Sequence, residues 1–476
     1  MYVCGMTVYS DAHIGHARTY FAFDVIRRYF EYKGYEVTYV QNITDVDDKI
    51  IAAANKEGVD PLKYSERFTD RCLRDLDDLG IRRADFYPKA SETIPDMITM
   101  IQTIVDKGYG YVADGDVYFS VEKFKDYGKL SGQQIDEMKV GARIEPGEKK
   151  YSPLDFALWK EAKPGEPSWQ SPWGEGRPGW HIECSTMSSG MLGLPFDIHG
   201  GGMDLRFPHH ENEIAQAEAA TGKQFAKYWM HVGLLTVDGE KMSKSLGNIM
   251  NIRDLLETWN PEVIRLFYAQ TQYRHPPDFN EKVLKNAEKG LEKIYRVKEK
   301  LDALSTHGSS EKVDEDALTE EDKQYFQAID DVKEHFEHAM DDDFNTPQAI
   351  GTLFDFINTS NRFLETSTKP NEPLCKYALV TLTKLGGVLT LFQPVKKKKV
   401  PSEDPVIVKK LQTALSKHGK HVEITKVEEL IPLLLAIREK ARSQQDWNTA
   451  DAIRKELGDI GFEIQDTADG PVWRKK

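Results

Sequence analysis

Three short stretches carry residue types that do chemistry. In "HIGH", His13 to His16, two imidazoles flank Gly15 where a strand-like opening gives way to helical periodicity. Amides at a helix N-terminus attract anions, and a glycine lets phosphates approach closely. Two imidazoles three residues apart add donors for charge developing on a phosphate. A histidine serving only as a helix cap explains the same residues without a ligand. In "DGEKMSKSLGN", Lys241 and Lys244 lie between Gly239 and Gly247, on a segment suited to closing over a ligand. Mobile lysines suit a charge that exists only in a transition state. The plain alternative is a solvated polar loop.

The third stretch is "HGGGMDLRFPHHENEIAQAEAA", from His199 to Ala220. Gly200, Gly201 and Gly202 leave bare backbone against which a nucleotide can lie. His209 and Glu213 are four residues apart and share one face of a helix. A metal site, an acid–base pair and a polar helix start all fit that spacing. By the same geometry His210 and Glu211 point elsewhere and read as structural. The HExxH arrangement of zinc hydrolases is absent. His231, two residues after Trp229 on an expected strand, reads as core or as adenosine-facing. The four cysteines, Cys4, Cys72, Cys184 and Cys375, form no CxxC pair and no disulfide framework. Cys72 shares a helical stripe with Phe68, Leu76 and Leu79, and both it and Cys375 read as core.

These residues must be positioned by more than one core, because 476 residues exceed what a single domain holds. No apolar run reaches the ~20 residues that span a bilayer and no secretory signal opens the chain, which points to the cytosol. The net charge of −14 is uneven. Residues 396–476 hold 17 Lys+Arg against 13 Asp+Glu, or +4, leaving −18 on the rest. Local basic surface governs phosphate binding, so the overall acidity does not exclude an RNA partner.

Strand, turn and helix alternate through "MYVCGMTVY", "HIGHARTYFAFDVIRRYFEYKGY", "EVTYVQNIT" and "DDKIIAAANKEG", which predicts an α/β fold with a doubly wound parallel sheet. Between Pro88 and Pro178 the rhythm breaks, and "GYVADGDVYFSV" reads as an antiparallel hairpin inside an insertion. The α/β pattern resumes near "GWHIECSTM". After Asn280 the chain turns helical, and "VKKKKVPSEDP" reads as a linker to a small C-terminal domain.

Taken together, "YVCGMTVYSDAHIGHARTY", "NITDVDDKII", "GRPGWHIECSTM", "DIHGGGMDLRFPHHENEIAQ", "MHVGLLTVDGEKMSKSLGN" and "DDDFNTPQAI" resemble the class I aminoacyl-tRNA synthetases, and within them the cysteinyl branch, over essentially the whole chain. Members of that branch carry further residues ahead of "YVCG", whereas Met1 sits almost on the motif, so a truncated or mis-started product is expected. The resemblance implies a Rossmann-type catalytic domain over 1–90 and 179–250, split by a connective insertion at 91–178. A stem-contact segment at 251–280, a helical bundle at 281–395 and a mixed α/β anticodon-binding domain at 405–476 follow.

It also implies the reaction. ATP, with Mg2+, and L-cysteine give cysteinyl-adenylate and pyrophosphate, and cysteine passes to the terminal adenosine of tRNA(Cys), on a monomer. One Zn2+ is implied, held by Cys4, Cys184, His209 and Glu213, with Cys4 ending the first strand and Cys184 at the edge of the resumed sheet. Zinc takes S, N and O ligands and would bind the substrate sulfur as thiolate. A site built on one obligatory polar contact rejects the analogue lacking it by about 10⁴–10⁵, so no editing activity is expected. Thr44, Trp180, His199 and Asp204 match positions near cysteine. His13, Gly15, His16, Gly200 to Gly202, His231 and Lys244 match the ATP site. Arg442, Trp447, Asp451 and Asp466 match the anticodon readers, where an unpaired base stacks on Trp447. Two other readings compete: a cysteine ligase of mycothiol biosynthesis, with an amino-sugar acceptor and normally no anticodon domain, and a non-catalytic RNA-binding paralogue, in which HIGH, KMSKS or the zinc quartet would be eroded.

Overall fold

The computed structural model describes residues 1–135, 149–242, 246–305, 313–393, 405–422, 424, 427–467 and 470–475. It divides into two compact units, Met1–Gln393 and Pro394–Lys476.

The first unit is organised by a parallel sheet of four short strands, β1 (Tyr2–Val3), β2 (Val40–Gln41), β8 (Phe196–Gly202) and β9 (Ala226–Val232), in the order β2-β1-β8-β9. β1 pairs on one side with β2 (Tyr2 with Val40) and on the other with β8 (Tyr2 with His199). Chain order reverses between β1 and β8, so the crevice at their carboxyl ends is where ligands of such sheets bind. The opening strands are shorter than the sequence predicts. Beyond Val3 and Gln41 only single bridges continue, Thr7 with Thr44 and Ile43 with Lys89.

Residues on β1 alternate between two cores, as pleating requires. Val3 packs with α1 (Ile14–Tyr32), which crosses from β1 to β2, while Tyr2 and Cys4 face the other way. On that second face lie α4 (Ile94–Asp106), α5 (Trp180–Leu192) and α6 (Glu211–Thr221), following α2 (Asp48–Glu57) and α3 (Pro61–Asp78) in the chain. An antiparallel sheet shares this core: β3 (Gly110–Ala113), β4 (Asp116–Phe119), β5 (Phe156–Glu161), β6 (Trp169–Ser171) and β7 (Gly174–Pro178), in the order β3-β4-β5-β7-β6. The β3–β4 hairpin turns at Asp114-Gly115, both at positive φ (47° and 88°), the Asp-Gly signature of a tight hairpin.

The Lys241 stretch forms a second hairpin, β10 (Thr236–Val237) and β11 (Glu240–Lys241), beside β12 (Asp278–Phe279). Its far end is joined to the HIGH segment by backbone: Ile14 N–H donates to Met250 O and Ile252 N–H to Ala12 O, both at 3.0 Å. Helices α7 (Ile252–Thr258), α8 (Pro261–Ala269), α9 (Glu281–Leu304), α10 (Glu320–Asp341), α11 (Thr346–Thr366) and α12 (Glu372–Val388) complete the unit. Their apolar stripes join the α1 face of the sheet in one continuous core, so the helical part is not a separate globule.

The second unit has its own core, in which Leu411, Leu434, Ile453, Leu457 and Phe462 are buried. It comprises α13 (Pro405–Lys417), α14 (Val427–Ser443), α15 (Trp447–Ile460) and the hairpin β13 (Phe462–Thr467) with β14 (Gly470–Lys475). No helix among the described residues is long and apolar enough to cross a membrane.

Candidate active site

Cys4 follows β1, and its N–H donates to Gly200 O at 2.9 Å, which seats it in the crevice. Cys184 lies one turn into α5, a correction to its expected place at a sheet edge, because "GWHIECSTM" is helical from Trp180. His209 lies near the end of a wide irregular turn, Arg206–His210, and Glu213 lies in the first turn of α6. The four that the resemblance implies come together. Their sulfurs stand 3.8 Å apart, Cys4 Sγ is 3.4 Å from Glu213 Oε1, and His209 Nε2 is 3.0 Å from the same oxygen. The four ligand atoms all lie within 4.8 Å of one another, and all four side chains are buried.

The donor set fits zinc. A tetrahedral ion with Zn–S of about 2.3 Å separates two sulfurs by about 3.8 Å, the spacing found here. Burial opposes ionisation of Cys184, but hydrogen bonds from Cys4 and His209 outweigh it and bring the thiol down to about 6. Burial, reinforced by Cys184, pushes Cys4 up. Burial also opposes charge on Glu213, yet His199 and His209 hold its carboxyl well below the usual range. A second set, Cys4, His199, His210 and Glu213, meets the same distance condition. The first has two sulfurs, one already disposed to ionise, and is the better zinc site.

His210 does not point away. Its Nε2 is 3.3 Å from Cys4 Sγ and its Nδ1 is 2.9 Å from His231 Nε2. The reason is local: Phe207 is extended (φ −143°, ψ 134°), so the turn that delivers the two histidines is not regular helix. Glu211 is structural in its contacts, accepting N–H bonds from Gly128 (2.9 Å) and Ser131 (2.8 Å) of the connective segment. His231 is buried on β9, where burial and then His199 bring its pKa down to about 4.

The residues matched to cysteine binding divide. Trp180 is 39% exposed and stacks on His209, with ring centroids 4.1 Å apart. Thr44 is buried and donates to Glu183 Oε2 at 3.1 Å. His199 is fully buried, with Nε2 2.7 Å from Glu213 Oε2 and its ring stacked on Trp229 at 4.5 Å. It therefore orients a ligand of the quartet instead of lining an open pocket. Asp204 is exposed on the turn after β8.

The three glycines have packing reasons of their own besides a bare backbone. A Cβ on Gly200 would lie 2.1 Å from the Phe23 ring, one on Gly201 3.1 Å from His210 Cε1, and one on Gly202 2.5 Å from Asp204 Oδ1.

At the HIGH helix both expected roles coexist. His13 is the N-cap of α1, and its Nδ1 accepts from Gly15 N (3.2 Å) and His16 N (3.4 Å). His16 Nδ1 accepts from His13 N (3.3 Å), and the two rings stack at 3.7 Å. A neutral imidazole that accepts at Nδ1 carries its proton on Nε2. Burial, then His13, push the His16 pKa well below its ordinary value, which keeps it neutral. Met242 comes against Gly15, where a Cβ would meet its methyl at 3.0 Å. Lys241 is exposed at the end of β11, and Lys244 lies outside the described residues.

In the second unit Arg442 donates to Glu439 at 3.3 Å, Trp447 is 58% exposed at the start of α15, and Asp451 is exposed one turn on. Asp466 falls on β13, its side chain outside the described set. Sequence reasoning passed over His181, whose Nδ1 is 2.8 Å from His209 Nδ1, and Glu183. Both flank Cys184 within three residues, which was the available signal.

A four-strand parallel sheet with a helix-capping histidine pair at its switch point is the class I aminoacyl-tRNA synthetase fold. It is found in Mycobacterium tuberculosis methionyl-tRNA synthetase in complex with methionyl-adenylate, at TM-score 0.60 and 16% identity over 86% of this chain and 93% of that one. Residues 1–289 match the family model of the tRNA synthetases class I (C) catalytic domain, 335–393 a DALR domain, and 431–474 the cysteinyl-tRNA ligase anticodon binding domain. The chain belongs to the cysteinyl-tRNA synthetase family. Relatives named cysteine–tRNA ligase from Thermococcus gammatolerans and Thermodesulfovibrio yellowstonii are each 48% identical, over all of this chain and 94% and 95% of theirs.

Proposed function

We propose that the chain is a cysteine–tRNA ligase: it activates L-cysteine with ATP, releases pyrophosphate, and transfers cysteine to the terminal adenosine of tRNA(Cys). The observation that carries this reading is the buried Cys4–Cys184–His209–Glu213 group at the carboxyl edge of the strand that leads into the HIGH helix. When bound, zinc supplies a Lewis acid that takes the substrate sulfur as thiolate and leaves serine's hydroxyl a far poorer fit.

The chain's own residues do the rest. Cys4, Cys184, His209 and Glu213 would hold the ion, with His199 and His181 orienting Glu213 and His209. Trp180 covers His209 and limits water at the sulfur site. Thr44 and Asp204 are assigned to the amino acid. The positive N-terminal end of α1 and the Nε2 donors of His13 and His16 meet the phosphates, on which charge develops as pyrophosphate leaves. Lys241 and Lys244 add positive charge at that moment, with Mg2+ accompanying ATP. Gly15, the Gly200–Gly202 strand end and His231 border the nucleotide. Arg442, Trp447, Asp451 and Asp466 are assigned to the anticodon. A monomer is the assembly proposed, as the family resemblance implies.

The matched anticodon domain favours tRNA over an amino-sugar acceptor, and the intact HIGH, KMSKS and quartet favour a catalyst over a paralogue. Pyrophosphate exchange tests the reading. Exchange that depends on cysteine, falls with a zinc chelator and is followed by charging of tRNA(Cys) supports it. Equal rates with serine, or ligation to glucosaminyl-inositol in place of tRNA, overturns it.

A further inference from the structure

Half-buried Gly5 and three buried side chains form a one-way chain of hydrogen bonds behind the sulfurs. Gly5 N–H donates to Asn42 Oδ1 (2.7 Å), Asn42 Nδ2 donates to Thr44 Oγ1 (3.2 Å), and Thr44 Oγ1 donates to Glu183 Oε2 (3.1 Å). Its two ends are the immediate neighbours of the two cysteines: Gly5 follows Cys4, and Glu183 precedes Cys184. Asn42, Thr44 and Glu183 are 1%, 2% and 0% exposed, so water does not compete for these bonds.

We propose that Asn42 and Glu183 are positioning residues that set the separation of the Cys4 and Cys184 sulfurs, and through it the affinity of the four-donor site for zinc. The two cysteines come from different elements, a strand end and a helix, and no backbone ladder joins those elements directly. The loop after β2 bonds to the neighbours of both cysteines, and α6 meets both elements as well, through Glu213 to Cys4 Sγ (3.4 Å) and to Ser185 Oγ (3.1 Å). Gly5 is pressed against that loop so closely that a Cβ would fall 1.6 Å from Asn42 O. The amide of Asn42 must accept with its oxygen and donate with its nitrogen, so the chain has one orientation and each bond polarises the next. The sulfurs stand 3.8 Å apart, the separation a tetrahedral zinc asks of two thiolates, and partners behind metal ligands fix such geometry.

The inference rests on the zinc reading above, and one set of measurements separates the two. Full-length protein is stripped of metal, and zinc affinity is measured by competition with a chromophoric chelator. The thiolate charge-transfer absorption of the Co2+ form is recorded in parallel. Glu183→Ala and Asn42→Ala are each expected to weaken zinc binding by about 10–100-fold and to dim the Co2+ charge-transfer band. Glu183→Gln, which keeps an acceptor for Thr44, stays near the wild type. Alanine variants that bind zinc as tightly as the wild type overturn the proposal, as does a glutamine variant as weak as the alanine one. Wild-type protein that binds no stoichiometric zinc overturns the underlying reading instead. Should an alanine variant not fold, Thr44→Val breaks the chain at its middle without opening a cavity, and unchanged zinc affinity there counts against the proposal.

Discussion

The indole of Trp180 lies over the imidazole of His209, 4.1 Å between centroids and 27° from parallel. Trp180 is also the first residue of α5, the helix that carries Cys184, so one side chain touches one ligand of the quartet and starts the helix of another. Because it is partly exposed, the ring separates the donor group from solvent. Trp180→Ala is therefore expected to lower kcat/KM for cysteine in pyrophosphate exchange by about 10–100-fold, the range for outer partners of metal ligands. Trp180→Phe, which keeps a ring on His209, recovers much of the loss. Unchanged kcat/KM in Trp180→Ala removes the assigned role.

His13 has two separable jobs. Its Nδ1 caps α1 while its Nε2 is assigned to the phosphates. Asparagine is a good N-cap but offers no donor at the Nε2 position, so His13→Asn keeps the cap and loses the donor. Its thermal stability stays near the wild type, and adenylate formation slows by about 10²–10³, the cost of one transition-state donor. His13→Ala loses the same rate and about 1 kcal/mol of stability besides. Equal melting points for the two variants would separate capping from this residue.

Metal removal tests selectivity. Chelation, or Cys4→Ala, should abolish cysteine-dependent exchange and stoichiometric zinc together, without making serine a substrate. Elemental analysis and exchange with both amino acids check this. Residual cysteine activity in metal-free protein contradicts the thiolate argument.

The helix-opening histidine pair, the parallel sheet, the antiparallel hairpin between its halves and the shared face of His209 and Glu213 were legible, because each rests on local spacing. What was hidden depended on tertiary path. Cys184 is on a helix because Gly179 starts one there, a boundary that strand-rich neighbours masked. His210 enters the cluster because Phe207 is extended, and a helical wheel cannot anticipate an irregular turn. The glycines of 200–202 answer to Phe23, His210 and Asp204, of which Phe23 lies far away in sequence. The helical region shares the catalytic core, a fact carried by long-range packing that no window of sequence contains.

Acid stability tests the joint between α10 and the segment before β12. Asp343 accepts from Tyr273 Oη (2.9 Å) and pairs with Arg274 (2.5 Å). Burial opposes its ionisation, but the bonds from Arg274 and Tyr273 outweigh it and lower its pKa. A carboxyl with a depressed folded pKa adds stability above its unfolded value, about 3.9, and that stability disappears as pH falls through the folded value. Asp343 sits at φ 48°, a conformation asparagine tolerates. Asp343→Asn is thus expected to lower the melting temperature at pH 7 and to converge with the wild type under acid. A difference that persists at low pH assigns the effect to something other than charge.

Trp447 is the exposed aromatic of the second unit, 58% accessible beside the N-cap Asp446 of α15, with Arg442 in the last turn of α14. An exposed indole on a rigid helix start is a stacking platform, and one stacked base contributes about 1–3 kcal/mol. Removing it should act on tRNA alone, since this unit has its own core and supplies no residue to the quartet. Trp447→Ala is expected to leave cysteine-dependent pyrophosphate exchange at the wild-type rate and to raise KM for tRNA(Cys) by about 5–150-fold, the same 1–3 kcal/mol expressed as a ratio. Trp447→Phe falls between the two. Slower exchange in Trp447→Ala would place the residue in the catalytic step, and unchanged charging would remove it from anticodon recognition.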